Sequence, residues 1–277
     1  ITSGQVPVYN SGTSDDETQI VVFSDQGYAV VWESSNGSFG NDVFAQFYDA
    51  NHNPVGGAKH ISANIGTGSA NNLPSVALLP NDNFIVYWTL KNFGNGDVDV
   101  RATILDRNGN VVTPEFIVNQ TTTGEQSVNV NVSPSDRYHS TVSTSASGIT
   151  LMTWRSNQNV GQGYDVYGRL FNENGTPRSN EFLVNTSQAG DQYYSVTAMA
   201  PDGRFAIAWE SSTGDGSGTA IYARLFNADG SAATPEFIVN QTTSGDQKHP
   251  SIAMDKEANL YVVWDSPNVE GGSGQDV

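Results

Sequence analysis

Carboxylates in glycine- and serine-rich loops are the residues of this chain whose chemistry is easiest to name. Glu210, Asp215 and Asp246 lie among Gly, Ser, Thr and Asn residues, and oxygen donors of this kind are the ligands that Ca²⁺ takes in proteins. No loop has the spacing of an EF-hand, and an acid before two serines also caps a bend by accepting hydrogen bonds from backbone amides. The three residues are therefore candidate Ca²⁺ ligands, with Ca²⁺ as the candidate cofactor and backbone capping as the alternative.

Aromatic side chains beside amide and carboxylate groups indicate a second kind of site, one that binds sugars. Tyr193 and Tyr194 follow one another in a loop rich in Asn and Gln, and Asp136, Arg137 and Tyr138 lie in a longer loop. These five are the candidate ligand-binding residues, and a glycan or an extracellular protein is the expected partner. The longer loop has an alternative interpretation as a surface excursion without function, because loops tolerate insertion.

Hydrolytic chemistry has less support in the sequence. A glycosidase needs two carboxyl groups at a fixed separation across the sugar, whereas most acids of this chain recur at equivalent positions, as scaffold residues do. The acids without counterparts, among them Glu17 and Asp136, are predicted to lie in loops with no His or Glu partner nearby in sequence. The four histidines fall at unrelated positions, and no GxSxG motif occurs, so no catalytic residue is assigned.

Five tryptophans mark the framework that must position these residues. Trp32, Trp88, Trp154, Trp209 and Trp264 lie 56, 66, 55 and 55 residues apart, and each closes a short apolar run. Self-similarity at such a period is typical of stacked supersecondary units, so the tryptophans are predicted to fill the core of each unit. The 66-residue interval exceeds 55 by 11, which indicates an insertion around 127–138.

The segments between the tryptophans predict strands and tight turns. Each unit contains four apolar runs, and turn signals occur at Asn108-Gly109, Asn174-Gly175 and Asp229-Gly230, where positive φ is tolerated. No segment has the period of a helix. The chain is predicted to be all-β: a five-bladed β-propeller of four-stranded antiparallel blades, with the last blade shared between the N- and C-terminal segments. The alternatives are part of a longer propeller or a β-sandwich array.

The predicted organisation is a single β-propeller domain over 1–277. Its repeat units span approximately 11–62, 63–119, 120–185, 186–240, and 241–277 plus 1–10.

Charge and cysteine count exclude several classes of function. The chain has 29 acidic and 12 basic side chains, a net charge of −17, which disfavours nucleic acid and anionic membrane surfaces as partners. It has no cysteine, so neither disulfides nor thiolate metal sites are available. No apolar run is long enough to cross a bilayer, and no membrane insertion is expected. The N-terminus lacks the regions of a signal peptide, as expected if a signal was removed or lies outside this sequence.

Three segments carry a family resemblance: Gly203 to Ser211 (GRFAIAWES), Ile221 to Gly230 (IYARLFNADG) and Glu236 to Gln247 (EFIVNQTTSGDQ). They resemble the tandem repeats of large secreted bacterial proteins of the calcium-binding, adhesin-like kind, and the resemblance covers essentially the whole chain. It implies a propeller-like module that is secreted or at the cell surface, often within a longer polypeptide or assembly. It implies no catalytic residue.

Taken together, these features predict a non-catalytic extracellular binding or structural module, of the adhesion kind. Its glycan or protein ligand is expected on the loop-rich face, with support from Ca²⁺. The alternative is a glycoside-active five-bladed propeller enzyme with carboxylates in its central funnel.

Overall fold

The structure, a computed structural model, describes residues 15–35, 41–62, 69–92, 94–128, 141–159, 161, 163–267 and 275–276. All regular secondary structure in these ranges is β-strand, and no helix that could cross a membrane occurs in them. The chain forms two compact units, and the boundary between them lies between Ile117 and Val118.

The first unit contains two four-stranded antiparallel sheets whose strands are neighbours in chain order. Sheet 1 consists of β1 (Asp15–Val22), β2 (Tyr28–Ser35), β3 (Asn41–Tyr48) and β4 (Pro54–His60). Sheet 2 consists of β5 (Ser69–Leu78), β6 (Phe84–Asn92), β7 (Val98–Leu105) and β8 (Val111–Ile117). The second and third strands are the most buried in each sheet, which agrees with their continuous apolar runs.

The second unit contains three further antiparallel sheets. Sheet 3 consists of β9 (Gln126–Ser127), β10 (Val142–Thr144), β11 (Thr150–Ser156), β12 (Asp165–Phe171) and β13 (Phe182–Leu183). Sheet 4 consists of β14 (Gln192–Met199), β15 (Phe205–Ser211), β16 (Ala220–Phe226) and β17 (Phe237–Ile238). Sheet 5 consists, among the described residues, of β18 (Lys248–Met254), β19 (Leu260–Pro267) and β20 (Gln275–Asp276). Sheet 3 has an extra strand because the predicted insertion divides its first strand: β9 and β10 both pair with β11.

The repeated tryptophans pack into the core as predicted. Trp88, Trp154 and Trp209 are among the largest fully buried side chains. In sheets 2 to 5 the indole N–H donates a hydrogen bond to a side-chain amide oxygen near the start of the sheet, and the donor–acceptor pairs are Trp88–Asn71 (2.8 Å), Trp154–Gln126 (3.0 Å), Trp209–Gln192 (3.0 Å) and Trp264–Gln247 (3.2 Å). The recurring Gln and Asn therefore satisfy a donor that would be costly to bury alone.

The spacing of these pairs locates the insertion independently. The partner lies 17 residues before the tryptophan in sheets 2, 4 and 5 but 28 residues before it in sheet 3. The difference, 28 − 17 = 11, equals the excess in the tryptophan spacing.

Arginines on the third strands reach back to the preceding repeat within the second unit. Arg169 donates from Nη1 to the carbonyl of Val118 (2.8 Å), and Arg224 donates from Nη1 to the carbonyl of Val184 (2.9 Å). Glu236 accepts hydrogen bonds from the amides of Thr186 and Ser187. Backbone groups at the joints between repeats are thus satisfied by side chains of the following sheet.

The predicted tight turns are present, and one of them has no room for a side chain. Gly109 has φ +73°, and a Cβ placed there would lie 2.5 Å from Cε2 of Phe47; Gly56 has φ +71° with nothing within 4 Å of the equivalent position. Both alanine substitutions strain the backbone, but only Gly109→Ala adds a clash. We expect Gly109→Ala to lower the free energy of unfolding by about 1–3 kcal/mol more than Gly56→Ala, measured by urea denaturation. Equal losses would show that Phe47 moves aside at no cost.

Candidate functional site

A β-bulge interrupts the first strand of sheets 1, 2, 4 and 5 at the same place in each repeat. The residue in each bulge has a positive φ: Glu17 (54°), Leu73 (59°), Tyr194 (51°) and His249 (52°). None of the four is glycine, and such a conformation costs free energy, so it persists only where the surroundings enforce it. The four bulge positions are therefore the first place to look for a site.

Two glutamates hold the bulges from the preceding sheet. Oε2 of Glu33 accepts a hydrogen bond from the amide of Leu73 (2.8 Å), and Oε1 of Glu210 accepts one from the amide of His249 (2.6 Å). Both glutamates directly follow a repeat tryptophan and both are buried. Glu210, a candidate Ca²⁺ ligand, thus takes the backbone-capping role that was its alternative.

The bulge positions keep one backbone conformation while their side chains differ completely. The four sheets present a carboxyl group, an isobutyl group, a phenol and an imidazole at the same place, whereas the amide residue that accepts from the tryptophan is kept at Asn71, Gln192 and Gln247. The four sheets therefore share the backbone conformation of the bulge and not its side chain, and Leu73 belongs to the buried apolar core.

In the first unit the bulge brings two carboxyl groups together. Glu17 is 3% exposed and Glu33 is 4% exposed. Burial, together with the nearby carboxylate of Glu33, raises the pKa of Glu17 from 4.5 to about 8. Burial also raises the pKa of Glu33, against which hydrogen bonds from the Leu73 amide and from Asn41 favour its charged form. A pKa of about 8 keeps Glu17 protonated at neutral pH, beside a second buried carboxyl group, and pairs of carboxyl groups with unequal pKa values are used in acid–base catalysis.

This pair corrects the sequence-based placement of Glu17. Glu17 lies in strand β1 rather than in a loop, and its carboxyl partner is on the adjacent strand β2, where the backbone of Glu33 pairs with that of Asp16. A search for a partner close in sequence misses Glu33, because antiparallel pairing joins residues that are distant along the chain.

In the second unit the bulges bring together the two candidate tyrosines and a histidine. The rings of Tyr193 and Tyr194 lie 5.1 Å apart between centroids, and the rings of Tyr194 and His249 lie 6.3 Å apart, edge to face. Nδ1 of His249 lies 2.8 Å from Oδ2 of Asp265. Burial raises the pKa of the Tyr193 hydroxyl, which also hydrogen-bonds Thr219. The candidates predicted from sequence include the two tyrosines and do not include His249 or Asp265, and a binding role for the tyrosines stays a prediction.

The other two candidate Ca²⁺ ligands have separate partners. Asp215 accepts from Nδ2 of Asn240 (3.0 Å) and from the amide of Ser217 (3.1 Å). Asp246 lies 2.9 Å from Nζ of Lys248, and this hydrogen bond is the main cause that lowers the pKa of Asp246. Within the described part of the chain, no group of three or more His, Asp or Glu residues could hold a metal ion. Ca²⁺ binding stays a prediction from sequence alone.

The remaining ligand-binding candidates, Asp136, Arg137 and Tyr138, lie outside the described residues. Their assignment stays a prediction.

Comparison with known proteins gives a fold and no family. No protein-family model and no curated protein matches the chain. Among solved structures, a GH93 α-L-arabinofuranosidase of Fusarium graminearum in complex with arabinobiose has a TM-score of 0.59 and 9% identity, over 95% of this chain and 80% of that one. An α-L-arabinanase of Penicillium chrysogenum, also with arabinobiose, has a TM-score of 0.56 and 10% identity, over 94% and 80%. The NanB sialidase of Streptococcus pneumoniae has a TM-score of 0.57 and 7% identity, over 96% and 59%.

The chain has the β-propeller fold. The predicted fold class, all-β with four-stranded antiparallel blades, is confirmed. The number of blades, the shared last blade and the single domain over 1–277 stay predictions.

The likeness corrects the predicted function. The similar propellers are enzymes named for cleaving glycosides, so the prediction of a non-catalytic adhesion module is wrong. Recurrence does not indicate which acids lie together, because Glu33 recurs as Glu210 and yet lies beside Glu17, an acid that does not recur. Secretion and an extracellular protein partner remain untested predictions.

Proposed function

We propose that this chain is a glycoside-cleaving enzyme in which Glu17 is the proton donor and Glu33 is the second carboxylate. The observation that carries the proposal is the Glu17–Glu33 pair: two buried carboxyl groups on adjacent strands, one of which has a pKa of about 8. The fold supports it, because similar propellers are arabinofuranosidases and arabinanases.

The chemistry of the pair follows from its protonation. Cleavage needs a carboxylic acid that gives its proton to the leaving glycosidic oxygen while the bond to the anomeric carbon breaks. Glu17 retains that proton at neutral pH. The Glu33 carboxylate then either takes a proton from the water that adds to the anomeric carbon, or adds to that carbon itself before water replaces it; in both cases the sum is glycoside plus water giving two sugars.

The hydrogen bonds to Glu33 suit this role. The Leu73 amide at 2.8 Å and Nδ2 of Asn41 at 2.9 Å hold the carboxylate in one orientation. Both donors favour the charged form, so proton sharing within the pair leaves the proton on Glu17. Neutral glycosides, with α-L-arabinosides as the first class, are the expected substrates.

The test is hydrolysis of aryl glycosides and arabino-oligosaccharides by the purified chain. We expect Glu17→Gln and Glu33→Gln to lower kcat by about 10²–10⁴-fold, since each removes a group that transfers or stabilises charge at the reacting centre. Glu115→Gln is the matched control: burial raises the pKa of Glu115 too, but its charged partner is Arg101, 3.8 Å away, and not a second carboxyl group. The proposal would be refuted if Glu17→Gln kept the activity of wild type, or if wild type hydrolysed no glycoside.

The pH profile gives a further check on the assignment of roles. Because Glu17 must be protonated to act, kcat is expected to fall as pH rises through about 8. A profile still flat at a pH about 1.5 above that value would exclude Glu17 as the acid.

A further inference from the structure

We propose that the bulges of β14 and β18 form a second sugar-binding subsite, in which Tyr193, Lys248 and Asp265 contact a neutral sugar ring and Tyr194 and His249 position them. The subsite lies within the second unit and does not include the Glu17–Glu33 pair. It stands independently of the proposed function, because binding here requires no cleavage.

The first support is the pairing of functional groups on neighbouring repeats. Tyr193 and Lys248 occupy one equivalent position, immediately before the bulge, and Tyr194 and His249 occupy the next. In sheet 2 the same two positions hold Asn72 and Leu73. Sheets 4 and 5 are thus the consecutive pair in which both positions carry aromatic, imidazole or ammonium groups.

The second support is that these groups are held in place and reached by solvent. Glu210 fixes the amide of His249 at 2.6 Å, and a carboxylate can only accept, so Nδ1–H of His249 donates to Asp265. The side chains of Lys248 and Asp265 are 36% and 31% exposed. The carboxylate of Asp265 is held in place, is reached by solvent and has lone pairs that the His249 bond does not use. It can therefore accept hydrogen bonds from sugar hydroxyls.

The charge of the cluster selects the class of sugar. One ammonium group, Lys248, lies among four acidic side chains, which are Asp191, Asp246, Asp265 and Glu210. An anionic sugar would be repelled. A neutral sugar offers hydroxyls that accept from the Lys248 ammonium and donate to the Asp265 carboxylate, and an apolar ring face that packs on the half-buried ring of Tyr193.

The experiment measures binding in the hydrolysis-defective Glu17→Gln chain. L-arabinose, D-xylose, D-galactose and D-glucuronate are titrated and followed by saturation-transfer NMR and calorimetry. We expect saturable binding of at least one neutral sugar, weaker or absent binding of glucuronate, and a loss of at least tenfold in affinity on adding Asp265→Asn or Tyr193→Phe. Lys248→Met is an independent variant should Asp265→Asn fail to fold. Tyr261→Phe is the control, since Tyr261 is exposed on β19 of the same sheet and is expected to leave affinity unchanged.

Three results would each overturn the subsite. They are no saturable binding of a neutral sugar, tighter binding of glucuronate than of the neutral sugars, and an affinity of the folded Asp265→Asn and Tyr193→Phe variants equal to that of the Glu17→Gln chain. Failure of the proposed function is distinguishable. A wild type that hydrolyses no glycoside, but whose sugar binding is lost with Asp265→Asn, would refute the enzyme proposal alone.

Discussion

Glu17→Gln is expected to stabilise the fold at pH 8 by on the order of 4 kcal/mol while, under the proposed function, it lowers kcat by about 10²–10⁴-fold. The pKa of Glu17 rises from 4.5 to about 8 on folding, and a tenfold change in an acid dissociation constant corresponds to about 1.4 kcal/mol. Between these two pKa values the unfolded chain is ionised at Glu17 and the folded chain is not, so the unfolded state binds fewer protons. The stability of wild type therefore falls as pH rises from about 4.5 to about 8.

Glutamine resembles the protonated carboxyl and removes this dependence. Urea denaturation at pH 5, 6, 7 and 8 is expected to give a free energy of unfolding that falls more steeply with pH for wild type than for the variant, because the variant lacks the contribution of Glu17. The difference in Tm at pH 8 should be about 10 °C, from about 2–4 °C per kcal/mol for a chain of this size. Glu115→Gln serves again as control, because Arg101 compensates part of its burial. The same pH slope in wild type and Glu17→Gln would show that Glu17 is not held protonated.

A gain in stability combined with a loss of activity separates function from scaffold. A carboxyl group retained only for the fold would destabilise the chain when replaced. One retained for chemistry persists despite its cost, as active-site groups commonly do.

The second large effect is expected from the core tryptophans. Trp209 is 1% exposed, and its indole N–H donates to Gln192. Trp209→Ala removes its packing and leaves a cavity between sheets, with an expected loss of about 3–5 kcal/mol in the free energy of unfolding. Trp264 occupies the equivalent position in sheet 5 but is only partly buried, so Trp264→Ala should cost about half as much.

Chemical denaturation of the two variants at one pH measures this contrast. Gln192→Leu adds a finer test, since it keeps the volume of the site and leaves the indole N–H without its acceptor, at a cost of about 1–3 kcal/mol. Equal losses for Trp209→Ala and Trp264→Ala would mean that the repeats do not differ in burial as the structure shows.

The periodic features of this fold could be predicted because each repeat satisfies the same contacts. The tryptophan spacing, the Asn-Gly and Asp-Gly turns and the 11-residue insertion depend on local chain geometry, and all three recur in the structure. Tyr193 and Tyr194 could be named as ligand-binding candidates, since aromatic residues beside amides are visible in the sequence, and that role stays a prediction.

The site could not be predicted in the same way. A bulge with positive φ at Glu17, Tyr194 or His249 leaves no glycine to mark it. The two interpretations of Glu210 differ only in which atom lies opposite its carboxylate, and that atom, the amide of His249, belongs to the next repeat, 39 residues along the chain.

By itself, the amino-acid sequence determined the all-β class, the repeat and its strands, because these depend on side-chain periodicity and turn chemistry that act over a few residues. Tertiary structure alone decided which carboxyl groups meet and which are protonated. Glu17 and Glu33 are ordinary glutamates in the sequence, and the antiparallel pairing of β1 with β2 removes them from water together. Desolvation and the proximity of a second charge, which no linear pattern encodes, raise the pKa of Glu17.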